Sequence, residues 1–408
     1  MDALKVRRSG GVVIPMSNIK YLLGRPNYTV HPLTPYNEKA CAFCDKLSQE
    51  LLANPNSRAF PDIITFAFWC RKSNILQLKK QFNDNEKRIG RGLTFHIAPS
   101  NIPVNFAFSF LFSLLAGNGN IVRIPSKSFP QIKIICEAIQ QIFTDDTFAE
   151  IRDNTTFVEY PSSDNKITAE FSAISDVRII WGGDATINMI RKLPTKPRCV
   201  DVCFADRYSA AIINGQAVLA ADKTILRHQA EKFYNDTYLM DQNACSSPQI
   251  IFWYNVTQEI KERFWEAVEQ QAQKQYFLQP ASAMDKYTQL CQDIIEKNEV
   301  IGLHQKNNFL SVVSLARLPQ DTTILRGKCG YFYEFELETL SEIASYINEK
   351  YQTITYFGID PEEVRELVLQ NHLTGIDRIV PFGSAMDIGV IWDGYDIIQS
   401  LSRIIALR

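Results

Sequence analysis

From about residue 93 onward, short β-branched runs alternate with stretches whose apolar positions recur at helical spacing. Runs at 93–98, 120–124, 156–160 and 177–181 predict strands, and 103–116, 131–143, a segment around 169 and 186–192 predict helices between them. Strands of about five residues alternating with helices predict a parallel, doubly wound α/β sheet. Right-handed crossovers put helices on both faces of such a sheet and leave ligands at the carboxyl ends of the strands. The alternation resumes near 209, with strands at 210–213, 249–253, 311–315, 332–337 and 353–357 and helices at 258–274, 342–350 and 362–370. This predicts a second α/β unit, joined without a Ser/Gly-rich linker. The stretch EKACAFCDKLSQELL, 38–52, reads as helical and carries a Cys41-x-x-Cys44 spacing. The segment 71–91 is more charged than its surroundings and reads as a solvated connection or an excursion onto a partner chain.

Composition narrows the class. At about 150 residues per domain, 408 residues suggest two or three domains, and 46% hydrophobic with 22% charged residues is ordinary for a globular protein. Lys plus Arg is 43 and Asp plus Glu is 45, for a net charge of −2. That balance argues against a nucleic-acid binder held by a basic face and gives no reason to expect an anionic membrane surface. The most apolar stretch, 102–116, carries Asn105, Ser109 and Ser113 and is shorter than the roughly 20 residues a membrane span needs. A buried helix, not a span, is expected there. Nine cysteines, an odd count, and a first segment cut by Pro15 with no secretory apolar core predict a reduced, cytoplasmic protein.

Familiar motifs are absent: no GxGxxG, GxxxxGK[ST], HExxH or GxSxG. The Cys41–Cys44 pair has no second pair or spaced histidines to complete a zinc site, so two small helix residues is the simpler reading. No metal is expected.

Four places carry candidate chemistry. Cys245 stands in DQNACSSPQ, after a polar turn and before a strand. A loop thiol among N–H donors can serve as a thiolate nucleophile, and equally can be a turn residue with no role. Asn101 precedes Ile102-Pro103 at a helix start, which suits an N-cap; the competing reading aims its amide at a developing oxyanion. Arg123 and Lys127 lie at or just past the carboxyl end of a strand, where a nucleotide would lie, although a pair of surface cations looks the same in sequence. Gly182-Gly183 joins a strand to a helix, either as a plain tight turn or as an opening for a pyrophosphate at the helix N-terminus. His96, in a buried strand, reads as a satisfied core residue.

In this order, the segments FHIAPSNIPV, LLAGNGNIVRIPSK, WGGDATINMIRKLPT, DQNACSSPQ and GIDRIVPFGSAMDIGVIWDGYDIIQSLSRI resemble the fatty acyl-CoA reductase (LuxC) family of the aldehyde dehydrogenase superfamily. The resemblance covers roughly 90–405. It implies the aldehyde dehydrogenase fold: a cofactor domain over 1–206 with an arm excursion at about 71–91, a catalytic domain over 207–382, and a C-terminal oligomerisation segment over 383–408. It implies a Cys245 thiolate that attacks a fatty acyl thioester, either acyl-CoA or an acyl-carrier thioester from a donor protein. NADPH then supplies hydride and a fatty aldehyde leaves. Asn101 matches the oxyanion-binding asparagine. Pro99, Ser100, Arg123, Lys127, Gly182 and Gly183 fall in the cofactor site. A homodimer or tetramer follows from the arms.

The match has departures. Cys203, in VCFADRYS, stands where hydrolytic relatives carry a glutamate base. Asn243 stands two before the nucleophile, where glutamine is usual, and RGKCGYFY offers no ribose-binding glutamate. Two other readings stay open: a cysteine acyltransferase or thioesterase without a redox step, and a catalytically silent nucleotide-binding partner in an acyl-processing complex.

Overall fold

The computed structural model describes residues 19–24, 29–82, 87–99, 102–125 and 127–407. The chain divides into two compact α/β units, residues 1–205 with 395–408, and residues 206–394.

The first unit is built on a six-stranded sheet. Its strands are β1 (Lys20–Leu23), β3 (Leu93–Ile97), β4 (Gly119–Arg123), β5 (Thr155–Glu159), β6 (Val177–Trp181) and β7 (Val200–Phe204), in the order β1-β5-β4-β3-β6-β7. β2 (Arg88–Gly90) lies outside it and pairs antiparallel with Ser402–Ile404. All neighbours in the sheet are parallel except β1, which runs antiparallel to β5. The chain builds outward from β3 through β4 and β5, then returns to lay β6 and β7 on the other side of β3. The topological switch therefore falls between β3 and β6, where Ile97 is in register with Ile180. In doubly wound sheets that crevice is where ligands bind.

Covered on both faces, β3 to β6 bury every position except the last of β4, β5 and β6, polar members such as Thr94, His96 and Asn120 included. The helix Asn105–Leu115 is buried at every position. Phe108 meets Phe66 at 4.8 Å and Trp69 at 5.5 Å between ring centroids, and Phe110 meets Phe157 at 5.2 Å. Truncating one such ring to alanine costs about 3–5 kcal/mol. The helix stops at Gly117, whose φ of +90° and whose distance of 2.0 Å from a would-be Cβ to Leu33 O exclude any side chain.

The second unit is built on a seven-stranded sheet of β8 (Tyr208–Asn214), β9 (Pro248–Tyr254), β10 (Val300–Asn307), β11 (Leu310–Leu315), β12 (Tyr331–Leu337), β13 (Tyr351–Phe357) and β14 (Arg378–Pro381). Their order is β10-β11-β12-β9-β8-β13-β14, and only β10 is antiparallel to its neighbour. Successive side chains split between two cores, with Ala210, Ile212, Ile250 and Phe252 on one face and Ala211, Ile213, Ile251 and Trp253 on the other.

Several expectations shift. The helix expected from 103 starts at Asn105, with Val104 at its cap position and no side-chain cap bond from it; Asn101, the residue expected to cap or to meet an oxyanion, lies outside the described residues. Residues 72–81, in the segment expected to supply arm strands, form a helix. Residues 383–394 belong to the second unit, and the chain re-enters the first only at Tyr395. The expected helix at 342–350 is a 3-10 stretch, Leu340–Tyr346, which stops before β13. No helix among the described residues is long and apolar enough to cross a membrane.

Candidate active site

In the first unit, the carboxyl ends of β3, β4 and β6 gather several of the residues singled out above. Pro99 lies two residues past β3, Arg123 ends β4 in register with Ile97, and Gly182-Gly183 follows β6 directly. Ser100 and Asn101 lie outside the described residues. A Cβ at Gly183 would meet nothing within 4 Å, so its backbone faces open space at the start of the helix Asp184–Arg191. Asp184 takes the first helical position, and its carboxylate uses part of the favourable field at that terminus. Arg123 lies over the Tyr160 ring, 4.8 Å from its centroid, and its buried Nε has no hydrogen-bond partner. Lys127 is exposed and lies over Phe129 at 5.0 Å.

A buried polar chain fixes this end of the sheet. Trp181 Nε1 donates to Ser109 Oγ at 3.1 Å, and Ser109 Oγ meets His96 Nδ1 at 2.8 Å. His96 Nε2 meets Asn120 Oδ1 at 3.0 Å. Because the asparagine oxygen can only accept, His96 carries its proton on Nε2 and accepts from Ser109. Full burial pushes its pKa down to about 4, so it stays neutral. The sequence reading of His96 as a satisfied core residue agrees with this. The Trp181 indole also stacks on Phe204, 3.7 Å between ring centroids, which holds the strand end that leads into Gly182.

Cys245 lies in the second unit. The helix Lys223–Thr237 ends in a short 3-10 turn, and the next two residues, Asp241 and Gln242, have φ of 52° and 60°. Left-handed geometry at non-glycine residues costs about 1–3 kcal/mol each and persists only where the surroundings enforce it. Gln242 supplies that enforcement. Its buried amide donates to the carbonyls of Pro248 at 3.1 Å and Tyr331 at 2.9 Å. Its Oε1 accepts the N–H groups of Gly330 and Tyr331, both at 3.2 Å. All four hydrogen-bonding positions of the side chain are filled. Asn243, by contrast, is exposed and bonds only back to the carbonyls of Met240 and Asp241. The glutamine that matters to this loop is thus Gln242, one residue before the position the resemblance marks.

The loop then runs through half-buried Cys245 into β9. The Cys245 carbonyl accepts Ser209 Oγ at 2.6 Å. Burial pushes the thiol pKa above its ordinary value; a backbone hydrogen bond from Arg207 and the Arg326 charge pull it down, while Asp393 and Asp206 push it further up. Arg326 is itself tied to Asp206 by two bonds of 3.0 and 2.9 Å. The resting residue is therefore a thiol, and its reactivity should climb with pH. In the ligand-free protein, iodoacetamide labelling of Cys245, read by peptide mass, is expected to rise about tenfold per pH unit from 7 to 9. A plateau below pH 8 would contradict the raised pKa.

Two further residues escaped the sequence reading. Asp236 is wholly buried, and burial raises its carboxyl to about 7, against the pull of backbone N–H groups from Gly383 and Ala385. Arg378 lies over the Trp392 ring at 4.3 Å. Nothing near Asp236 in sequence marks it, and Arg378, although inside the segment GIDRIVPFG that carries the resemblance, is not singled out there. Cys203, in the first unit on β7, has its thiol pKa raised by burial, with Arg191 pulling it down. All nine cysteines are free, and no group of three or more His, Cys, Asp or Glu among the described residues could hold a metal ion.

Comparison with known proteins gives a consistent result. The model of the acyl-CoA reductase (LuxC) family matches residues 71–404. The long-chain acyl-protein thioester reductase of Photobacterium phosphoreum is 25% identical over 334 residues, covering 78% of this chain and 63% of the relative. The protein of the same name from Vibrio harveyi is 28% identical over 166 residues, covering 40% of this chain and 32% of the relative. The chain thus spans under two thirds of the length of these relatives. Among solved structures, aldehyde dehydrogenase 21 of Physcomitrella patens is similar with a TM-score of 0.63 at 11% identity, over 91% of this chain and 86% of that one. The fold is that of the aldehyde dehydrogenases.

Proposed function

This chain belongs to the acyl-CoA reductase (LuxC) family, and from that premise we propose that it reduces a long-chain fatty acyl thioester to the fatty aldehyde through an acyl group carried on Cys245. The observation that carries the reading is the Cys245 loop itself, a half-buried thiol on a strained turn that Gln242 locks with four hydrogen bonds. Structure spent on holding one thiol in place suits a nucleophile better than a chance turn residue.

In this reading the Cys245 thiolate attacks the thioester carbonyl, the tetrahedral oxyanion collapses, and the thiol of the carrier leaves. Attack is near thermoneutral, because the leaving thiol resembles the attacking one. The donor is acyl-CoA or, as the relatives' name suggests, an acyl-protein thioester. A reduced nicotinamide dinucleotide supplies the hydride that releases the acyl group as aldehyde. Pro99, Ser100, Gly182 and Gly183 would hold its pyrophosphate and Arg123, with Lys127, its adenosine end. The open backbone at Gly183 and the unpartnered Arg123 Nε fit that group.

Cofactor choice rests on Arg123, which ends the strand beside β3, where an acidic residue would claim the ribose hydroxyls and an arginine accommodates a 2′-phosphate. NADPH is the expected donor. Arg123→Ala is expected to raise the KM for NADPH about tenfold or more while changing that for NADH little; an equal change for both cofactors would show that the guanidinium does not read the phosphate.

Release as acid is disfavoured, because a half-buried neutral thiol at Cys203 is a poor base for water. The test of the whole reading is absorbance in the nicotinamide band with long-chain acyl-CoA present. Consumption of NADPH with aldehyde as product supports it. CoA release without NADPH consumption would make the protein an acyltransferase or thioesterase, and neither event would make it a silent partner.

A further inference from the structure

The hydrogen bonds around the Cys245 loop close into a ring. Ser209 Oγ, which donates to the Cys245 carbonyl at 2.6 Å, also accepts the Thr353 N–H at 3.2 Å. Thr353 Oγ1 accepts Arg378 Nη1 at 3.3 Å. The Arg378 guanidinium then reaches three carbonyls of one turn, Ser384 at 3.2 Å, Ala385 at 3.1 Å and Asp387 at 3.1 Å. The same turn gives its N–H groups to Asp236, Gly383 at 2.7 Å and Ala385 at 2.9 Å, one to each carboxylate oxygen. Asp236 returns the ring to its start, for its carbonyl accepts Ser247 Oγ at 2.8 Å, two residues past Cys245. A cross-link inside the ring runs from Ser246 Oγ to Met386 Sδ at 3.7 Å.

We propose that Ser209, Arg378 and Asp236 are positioning residues that clamp the Cys245 loop to the turn 383–387 and so fix the direction from which Sγ meets the thioester carbonyl. The proposal rests on Cys245 being the acyl acceptor. Its physical basis is that the loop is held from both sides by groups on different strands. Ser209 lies on β8, Thr353 on β13 and Arg378 on β14, and Asp236 lies on the helix Lys223–Thr237. Arg378 grips the C=O groups and Asp236 the N–H groups of the same turn, so the turn cannot move without breaking bonds to both, charge-assisted at Arg378 and, above about pH 7, at Asp236 as well. Ser209, Thr353 and Asp236 are wholly buried, and water cannot substitute for the bonds they make. A ring of this kind constrains only while it is closed. One break opens the ring and frees the Cys245 end of the loop from the turn, while Gln242 still holds the loop's start; a second break in the same ring frees nothing further.

That property sets the test. Ser209→Ala removes the bond to the Cys245 carbonyl. Arg378→Lys keeps the charge but loses the planar fork that reaches three carbonyls. Each variant and the double variant are compared with wild type in two measurements. The first is single-turnover transfer of a long-chain acyl group from acyl-CoA, read by intact mass, with rate and half-saturation separated. The second is iodoacetamide labelling of Cys245 at about pH 7.5.

Each single variant is expected to lower the saturating acylation rate about tenfold or more, with half-saturation changed less than about threefold, since small misplacement of a nucleophile costs rate rather than binding. Labelling should move the other way, rising about threefold or more, because a released thiol regains water and a small probe needs no fixed approach. The double variant should be no more than about twofold worse than the worse single one, as members of one network are non-additive. Multiplied losses in the double variant, or unchanged acylation per folded molecule in both singles, would overturn the proposal. If wild type accepts no acyl group at all, the proposed function fails, and labelling alone decides the ring: faster labelling in both variants upholds it and unchanged labelling overturns it.

Discussion

Cys245→Ala is expected to abolish the acyl adduct while the protein still folds. The substitution removes one half-buried sulfur but leaves the Cys245 backbone carbonyl, which is what Ser209 holds. The loop therefore keeps its anchors, and the thermal midpoint should move by a few degrees at most, the size of a roughly 1 kcal/mol change. Chemistry has no substitute at hand. The neighbouring hydroxyls are far weaker nucleophiles than a thiolate: Ser247 is committed to the Asp236 carbonyl and Ser246 faces Met386. Removing the nucleophile of a covalent mechanism costs on the order of 10⁴-fold or more. Intact mass after mixing with long-chain acyl-CoA, without cofactor, should show the adduct in wild type alone. An adduct that survives in the variant would move the acyl group to another residue.

Asn101→Ala carries the second large effect. The helix that follows has Val104 at its cap position, and in the proposed mechanism the Asn101 amide is the donor that meets the thioester oxyanion. Loss of one such donor costs about 3–4 kcal/mol in the transition state, or roughly 100-fold or more in turnover, with the KM for NADPH little changed. A variant that melts earlier but keeps its turnover per folded molecule would show that the amide serves structure instead.

The parts of the fold legible in sequence are those whose burial is uniform. β3, β4 and β6 are short, β-branched and aromatic-rich segments between helical stretches, and their placement could be read within a residue or two. The helix Lys72–Gln81 buries Ile75 and little else, and its charge masked its periodicity. The helix Pro280–Glu296 likewise leaves Met284, Tyr287, Ile294 and Ile295 exposed and buries few apolar residues, so no inward stripe announced it. Strand β10 sits at a sheet edge with Ile301 and Leu303 outward, which blurs the alternation that marks a strand.

The candidate site divides on similar lines. Cys245 could be picked out because a lone thiol in a polar loop is locally unusual. Its supports could not: Ser209 and Thr353 are 144 positions apart, and Gly383 is 147 from Asp236. Only the parallel sheet brings them together. Gln242 was visible as a residue, but its worth depends on Gly330 and Tyr331, which lie on another strand and the turn before it.

The return of the chain to its first unit at Tyr395 has a consequence for synthesis on the ribosome. The last segment ties into that unit through Asn118 Nδ2 to the Leu401 carbonyl at 2.9 Å, Arg91 Nε to the Ser400 carbonyl at 2.8 Å, and pairing of Ser402–Ile404 with β2. Residues 206–394 are continuous and emerge complete before that segment is made, so the second unit can reach its native state while the first still lacks its closing strand. At about 5–20 residues per second, the first unit waits roughly 10–40 s for its final contacts. Over that interval the unpaired edge of β2 and the apolar helix Asn105–Leu115, against which the last segment packs, remain open to chaperones and to aggregation.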